Sequence, residues 1–163
     1  MMNEKVCAGI VLYNPDLDRL ARNVQAISAQ VSLVLCFDNG SANMEGIKRI
    51  LSGFKNLRVI EGGSNLGISV ALNRMAKVAE DSGCAWFLSL DQDSVCPGGM
   101  IEALMTYGGY ERVGAICPRF VDTRRPKEEP PEGVWCDVED CITSGMLMKL
   151  DVLDRIGGMD ETL

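Results

Sequence analysis

The sequence predicts an α/β protein with a mostly parallel central sheet covered by helices, and three observations carry that reading. Short apolar runs of strand length alternate four times with stretches of helical periodicity. Polar clusters follow the first, second and fourth of these runs, and parallel sheets bind their ligands beyond the carboxyl ends of their strands. The chain has 163 residues, 47% of them hydrophobic and 24% charged, which suits a single globular domain with a real core.

Residues 6–13 form the first apolar run, followed by Asn14-Pro15, an N-cap and first-turn pair that is expected to start a helix. Leu17, Leu20, Val24 and Ile27 then recur at helical spacing. A second apolar run over 31–37 ends in the turn cluster Asp38-Asn39-Gly40-Ser41, and Ile47, Ile50, Leu51 and Phe54 mark the next amphipathic helix. A short strand over 57–60 gives way to Gly62-Gly63. Asn65 is placed to cap a helix whose apolar face is Ile68, Leu72, Met75, Val78 and Ala79, with Gly83 as its stop. The fourth strand, 85–90, runs into Asp91-Gln92-Asp93. After Pro97 a helix carries Met100, Leu104 and Met105, and a fifth strand is expected over 113–117. Residues 122–133, with Arg124-Arg125-Pro126 and Pro130-Pro131, read as a long polar loop. A strand over 141–150, interrupted by Thr143-Ser144-Gly145, and a short helix over 151–156 stopped by Gly157-Gly158 complete the pattern.

The net charge of −7 argues against a nucleic-acid partner. An acidic protein that binds a diphosphate is expected to bridge to it through a divalent cation, which reverses the local sign. No apolar run approaches the roughly 18 residues of a membrane span. The N-terminus has no basic region followed by an apolar stretch, so a cytoplasmic location is expected. Seven cysteines, an odd number with no C-x-x-C pair, speak against a disulfide framework or a structural zinc site. Cys7, Cys36, Cys84 and Cys117 lie in apolar segments and are expected as small buried hydrophobes. The chain has no histidine, which removes Ser-His-Asp and Cys-His catalysis and leaves carboxylates as the acid–base candidates.

Asp91-Gln92-Asp93 is the sharpest feature. In extended backbone, residues two apart share a face, and two carboxylates held that way are costly unless a cation neutralises them. Hard oxygen ligands suit Mg²⁺ or Mn²⁺, which commonly keep positions open for substrate phosphates. A pair of solvated turn aspartates is the plain alternative.

Leu90-Asp91-Gln92-Asp93-Ser94 resembles the D-x-D motif of glycosyltransferases of the GT-A fold, and the D-Q-D-S form is similar to rhamnosyltransferases of family 2. Further segments match in order. Val11-Leu12-Tyr13-Asn14-Pro15 is similar to the family's opening strand and loop, and Asp38-Asn39-Gly40-Ser41 to its V-D-N-G-S segment. The stretch from Asn65 and Gly67 through Ala71 to Asn73 resembles the N-x-G-x-x-x-A-x-N helix start. Ser144-Gly145 and Gly157-Gly158-Met159-Asp160-Glu161 resemble the acceptor-side S-G strand and the G-G-F-D-E turn, with Met159 in place of Phe.

The resemblance implies a three-layer sandwich in which residues 1–120 bind a nucleotide-diphosphate sugar and 121–163 begin the acceptor side. It implies that Asp93, with Asp91, holds Mn²⁺ or Mg²⁺. Tyr13, Asn14, Asp38, Asn39, Asn65, Gly67, Asn73, Asp91 and Gln92 would border the donor, and Ser144, Gly145, Asp160 and Glu161 the acceptor. The implied reaction is inverting transfer of a sugar, L-rhamnose from dTDP-L-rhamnose, onto a glycan or lipid-linked acceptor in cell-surface polysaccharide synthesis. UDP-sugars remain open as donors. The full-length protein would work at the inner face of the membrane.

Several residues also have plain readings. Asp38 accepts a base N–H or stabilises its own turn, Asn65 contacts ligand or merely caps, and Tyr13 stacks on the base or is a buried strand-end residue. Arg119, Arg124 and Arg125 touch phosphates or are solvated charges. In similar enzymes the general base is an aspartate shortly after the G-G-F-D-E turn. Asp160 is the candidate at hand, but the base is expected beyond Leu163, so these residues are expected to bind donor and to transfer poorly or not at all. Two rivals are a nucleotidyltransferase on the same sheet and a non-catalytic nucleotide-sugar-binding module. The first would show a Gly-rich basic loop after strand one, where Tyr13-Asn14-Pro15-Asp16 stands. A Rossmann dehydrogenase is excluded, because no G-x-G-x-x-G follows that strand.

Overall fold

The computed structural model describes residues 4–119 and 136–162. The elements run β1 (Val6–Leu12), α1 (Leu17–Ser28), β2 (Leu33–Asp38), α2 (Met44–Leu51), β3 (Leu57–Glu61), α3 (Ile68–Asp81), β4 (Trp86–Leu90), α4 (Met100–Met105), β5 (Ala115–Ile116), β6 (Leu147–Lys149) and α5 (Leu150–Arg155). They build one six-stranded sheet in the order β3-β2-β1-β4-β6-β5. The first four strands are parallel to one another, while β6 runs antiparallel to both β4 and β5. The expected α/β class with a mostly parallel sheet is therefore the fold observed.

Strand alternation divides the core into two layers. Ala8, Ile10 and Leu12 of β1 join Leu20, Val24 and Ile27 of α1, Ile47 and Leu51 of α2, and Ile101 and Leu104 of α4 on one face. Cys7, Phe37 and Phe87 point the other way, onto Ala71, Leu72, Met75 and Ala79 of α3 and Leu153 of α5. Gly9 is required in the middle of β1 because a Cβ there would stand 2.3 Å from Cζ of Phe87. Gly9→Ala is expected to lower stability by about 1–3 kcal/mol through overpacking, read as a lower denaturant midpoint with unchanged slope.

Four local expectations are corrected. Helix α1 is capped by Asp16, whose Oδ1 accepts the Arg19 amide at 2.9 Å, and not by Asn14, which sits at φ 47° outside the helix. Asn65 does not cap α3; the N-cap position is Gly67 at φ 85°, and the Asn65 side chain turns back toward Asn39. The strand expected over 113–117 shrinks to two residues, because its partner β6 is cut short by the turn at Gly145 (φ 88°). Cys117 is only half-buried beside that edge, while Cys96 takes a place in the core. Burial pushes the thiol of Cys36 up to about 12 and that of Cys96 to about 11, so both are inert at neutral pH. The polar loop read over 122–133, with Arg124 and Arg125, lies outside the described residues. Among the described residues no helix is long and apolar enough to cross a membrane.

Candidate functional site

At the carboxyl edge of the parallel strands an open cleft of about 310 Å³ is bordered by Tyr13 after β1, Asp91, Gln92 and Asp93 after β4, Ile68 and Leu72 of α3, and Thr143 before β6. Val11 and Leu90 add apolar side chains to the lining. Tyr13 is 51% exposed, so its ring is available to a flat ligand rather than buried at the strand end. Among the described residues no Lys or Arg lines the cleft.

The Asp91-Gln92-Asp93 turn is held from three sides, each through its backbone or through Gln92. Asn23 of α1, fully buried, donates from Nδ2 to the Asp91 carbonyl at 2.8 Å. From the turn before β6, Ser144 Oγ accepts the Asp91 amide at 3.1 Å and lies 3.2 Å from Ser94 Oγ. Gln92 grips the main chain of Tyr13, accepting its N–H at 2.9 Å and donating to its carbonyl at 3.4 Å. The main chain is thus fixed while the carboxylates of Asp91 and Asp93 stay at the exposed rim. Antiparallel β6 makes this possible: Gly145 donates to Ser89 O at 2.7 Å, which carries Ser144 up to the turn.

Asp91 and Asp93 are two exposed carboxylates on one short turn. Among the described residues no group of three or more potential ligating side chains comes together. Such a pair fits Mg²⁺ or Mn²⁺ bound jointly with substrate phosphates, since these ions commonly take one or two carboxylates and fill their remaining positions from phosphate and water.

The asparagines expected around the donor are occupied with the protein itself. Asn39, 4% exposed, accepts the Leu66 amide at 2.7 Å and donates to Asn65 Oδ1 at 2.9 Å, which fastens the β2 turn to the start of α3. Asn65 Oδ1 also takes the Gly67 amide at 3.0 Å. Asn14 bonds Ser41 Oγ and the Ala42 amide, joining the first two loops. Asp38, buried, spends both oxygens on the amides of Gly40 and Ser41, the turn-stabilising arrangement. Asn73 does not line the cleft; it clasps Met159 through both its amide nitrogen and oxygen and donates to Glu161 Oε1 at 2.8 Å. Asp160 Oδ1 accepts from the hydroxyl and the amide of Thr162 at 2.6 and 2.8 Å, and these bonds hold its carboxyl below the usual range. A lowered pKa makes Asp160 a weak proton acceptor.

Two contributors were not anticipated. Asn23 stands at position i+3 from Leu20 on the buried stripe of α1, and a polar residue in that stripe was the available signal. Arg19, in the first turn of α1, places Nη1 3.7 Å from Asp93 Oδ2.

The family model described as "Glycosyl transferase family 2" matches residues 7–153. A dTDP-rhamnosyl transferase RfbF of Shigella flexneri is 26% identical over 99% of this chain, which spans 60% of that protein. Among solved structures, S. aureus TarS residues 1–349 in complex with UDP superposes with a TM-score of 0.72 at 16% identity, covering 98% of this chain and 51% of that one. A 4-diphosphocytidyl-2C-methyl-D-erythritol synthase from Anaerococcus prevotii superposes at 0.59 with 12% identity, over 98% and 80% of the two chains.

Proposed function

The chain belongs to glycosyl transferase family 2 and has the GT-A fold, and from that premise we propose that it forms the donor-binding part of a cation-dependent enzyme transferring L-rhamnose from dTDP-L-rhamnose to a glycan or lipid-linked acceptor. The observation that carries this reading is the meeting of Asp91 and Asp93 with the exposed ring of Tyr13 in one cleft at the carboxyl edge of the sheet. Asp91 and Asp93 would hold Mn²⁺ or Mg²⁺ together with the donor diphosphate. The cation supplies charge stabilisation where the leaving diphosphate becomes more negative. Asn23 and Ser144 keep the Asp91 main chain in place for that task, and Gln92 ties it to the loop that presents Tyr13.

The finer donor assignment has two supports. The Shigella relative is named as a dTDP-rhamnosyl transferase. The wall of Val11, Ile68, Leu72 and Leu90 offers no side-chain hydrogen-bond partner, which suits a 6-deoxy sugar that presents a methyl where other hexoses present a hydroxyl. The TarS structures contain UDP or UDP-GlcNAc, which keeps a uridine donor in play. The likeness to the synthase favours nucleotidyl transfer as a second reading, although the β1–α1 connection carries no Gly-rich basic loop.

A panel of dTDP-L-rhamnose, UDP-GlcNAc and CTP, each titrated into the chain with Mn²⁺, separates these readings. The expected order puts dTDP-L-rhamnose first. UDP-GlcNAc in first place would overturn the donor assignment, and CTP in first place would favour nucleotidyl transfer.

A further inference from the structure

Among the described residues the cleft is lined by two aspartates and by no Lys or Arg. A nucleoside diphosphate sugar brings two more negative charges, so one divalent cation leaves the bound site with a net charge of about −2. The balance worsens as the leaving diphosphate gains charge. A second positive group at the rim is therefore needed. Among the described residues the basic side chain ion-paired with these aspartates is Arg19.

Three features of Arg19 suit that role. Its contact with Asp93 is single-pronged at 3.7 Å, with the two side chains 60% and 57% exposed, so it is weakly held and readily exchanged. It stands in the first turn of α1, where the positive end of the helix dipole opposes a cation and where an acid such as Asp18 is favoured. A residue set against its local preference is commonly one that serves the site. The Arg19 amide is also fixed on Asp16 Oδ1 at 2.9 Å, so only the side chain is left to move. Its planar guanidinium can meet two phosphate oxygens at once.

The geometry points to Arg19 as a diphosphate-contacting residue that pairs with Asp93 in the donor-free chain and with the donor's phosphate oxygens in the bound one. This rests on the reading of Asp91 and Asp93 as the cation and donor site.

The test measures two affinities of the same chain: Mn²⁺ alone, and dTDP at saturating Mn²⁺, in wild type and Arg19→Met. Loss of a competing cation beside Asp93 is expected to tighten Mn²⁺ alone by about threefold. Loss of a charge-assisted contact is expected to weaken dTDP by about tenfold. Movement in opposite directions is the signature, because a residue that merely braced the turn would weaken both. If the variant weakens both, or matches wild type, the role of Arg19 is overturned and the donor site stands. If wild type itself binds neither Mn²⁺ nor dTDP, the donor-site reading fails and takes this inference with it.

Discussion

Asp93→Ala is expected to abolish cation-dependent binding of the donor, weakening it by about a hundredfold or more, while leaving the melting temperature unchanged. The carboxylate is 57% exposed and its ion pair with Arg19 is loose, so the fold loses almost nothing with it. The proposed cation site would lose half of the carboxylates assigned to it. Changes to residues that only support a metal ligand already cost about 10–100-fold in affinity, and loss of a ligand costs at least as much. Calorimetric titration of dTDP-L-rhamnose at saturating Mn²⁺, with a thermal melt of the same sample, checks both halves. Unaltered affinity would make Asp93 a solvated turn residue.

The second large effect is expected at Asn39, and it is structural first. Asn39→Ala removes a buried amide that accepts from Leu66 N and donates to Asn65 Oδ1 and Gly67 O. The Leu66 amide loses its partner, while Asn65 Oδ1 keeps the Gly67 amide and Asn65 itself is exposed, so water recovers part of the cost. Stability is expected to fall by about 2 kcal/mol, which lowers the melting temperature by about 4–8 °C in a chain of this size. Ile68, the first residue of α3 and part of the apolar wall, then loses its anchorage, so dTDP-L-rhamnose should bind several-fold more weakly while Mn²⁺ alone binds as before. If Asn39 instead touches the nucleotide, donor affinity would fall with no change in melting temperature.

The fold was largely legible because its signals are local. Runs such as 31–37 and 85–90 announce buried strands by composition alone, and the polar residues that end them necessarily gather at one edge of a parallel sheet. Asp91, Asp93 and Tyr13 could be placed for that reason. Which of these polar residues hydrogen-bond within the protein, and with what, was not legible. Asn73 and Met159 are 86 residues apart in sequence yet share two hydrogen bonds, and nothing near Asn73 signals it. The same holds for Asn39, Asn65 and Asn14, whose partners lie on the neighbouring loop. An asparagine at a strand end serves a ligand or a neighbour equally well by type, and only the tertiary arrangement assigns it. The antiparallel β6 was equally hidden. Read as an interrupted strand, 141–150 gave no sign that Ser144 would return to brace Asp91.

The central proposal is that the cleft beside Tyr13 and Asp93 takes a nucleotide-diphosphate sugar through a divalent cation. The most direct test is the heat of dTDP-L-rhamnose binding to this chain in Mn²⁺ and again in EDTA. Saturable binding in Mn²⁺ that disappears in EDTA is the expected result. Binding of equal strength in both would rule out a cation bridge, because the two aspartates would then repel the diphosphate with nothing between them.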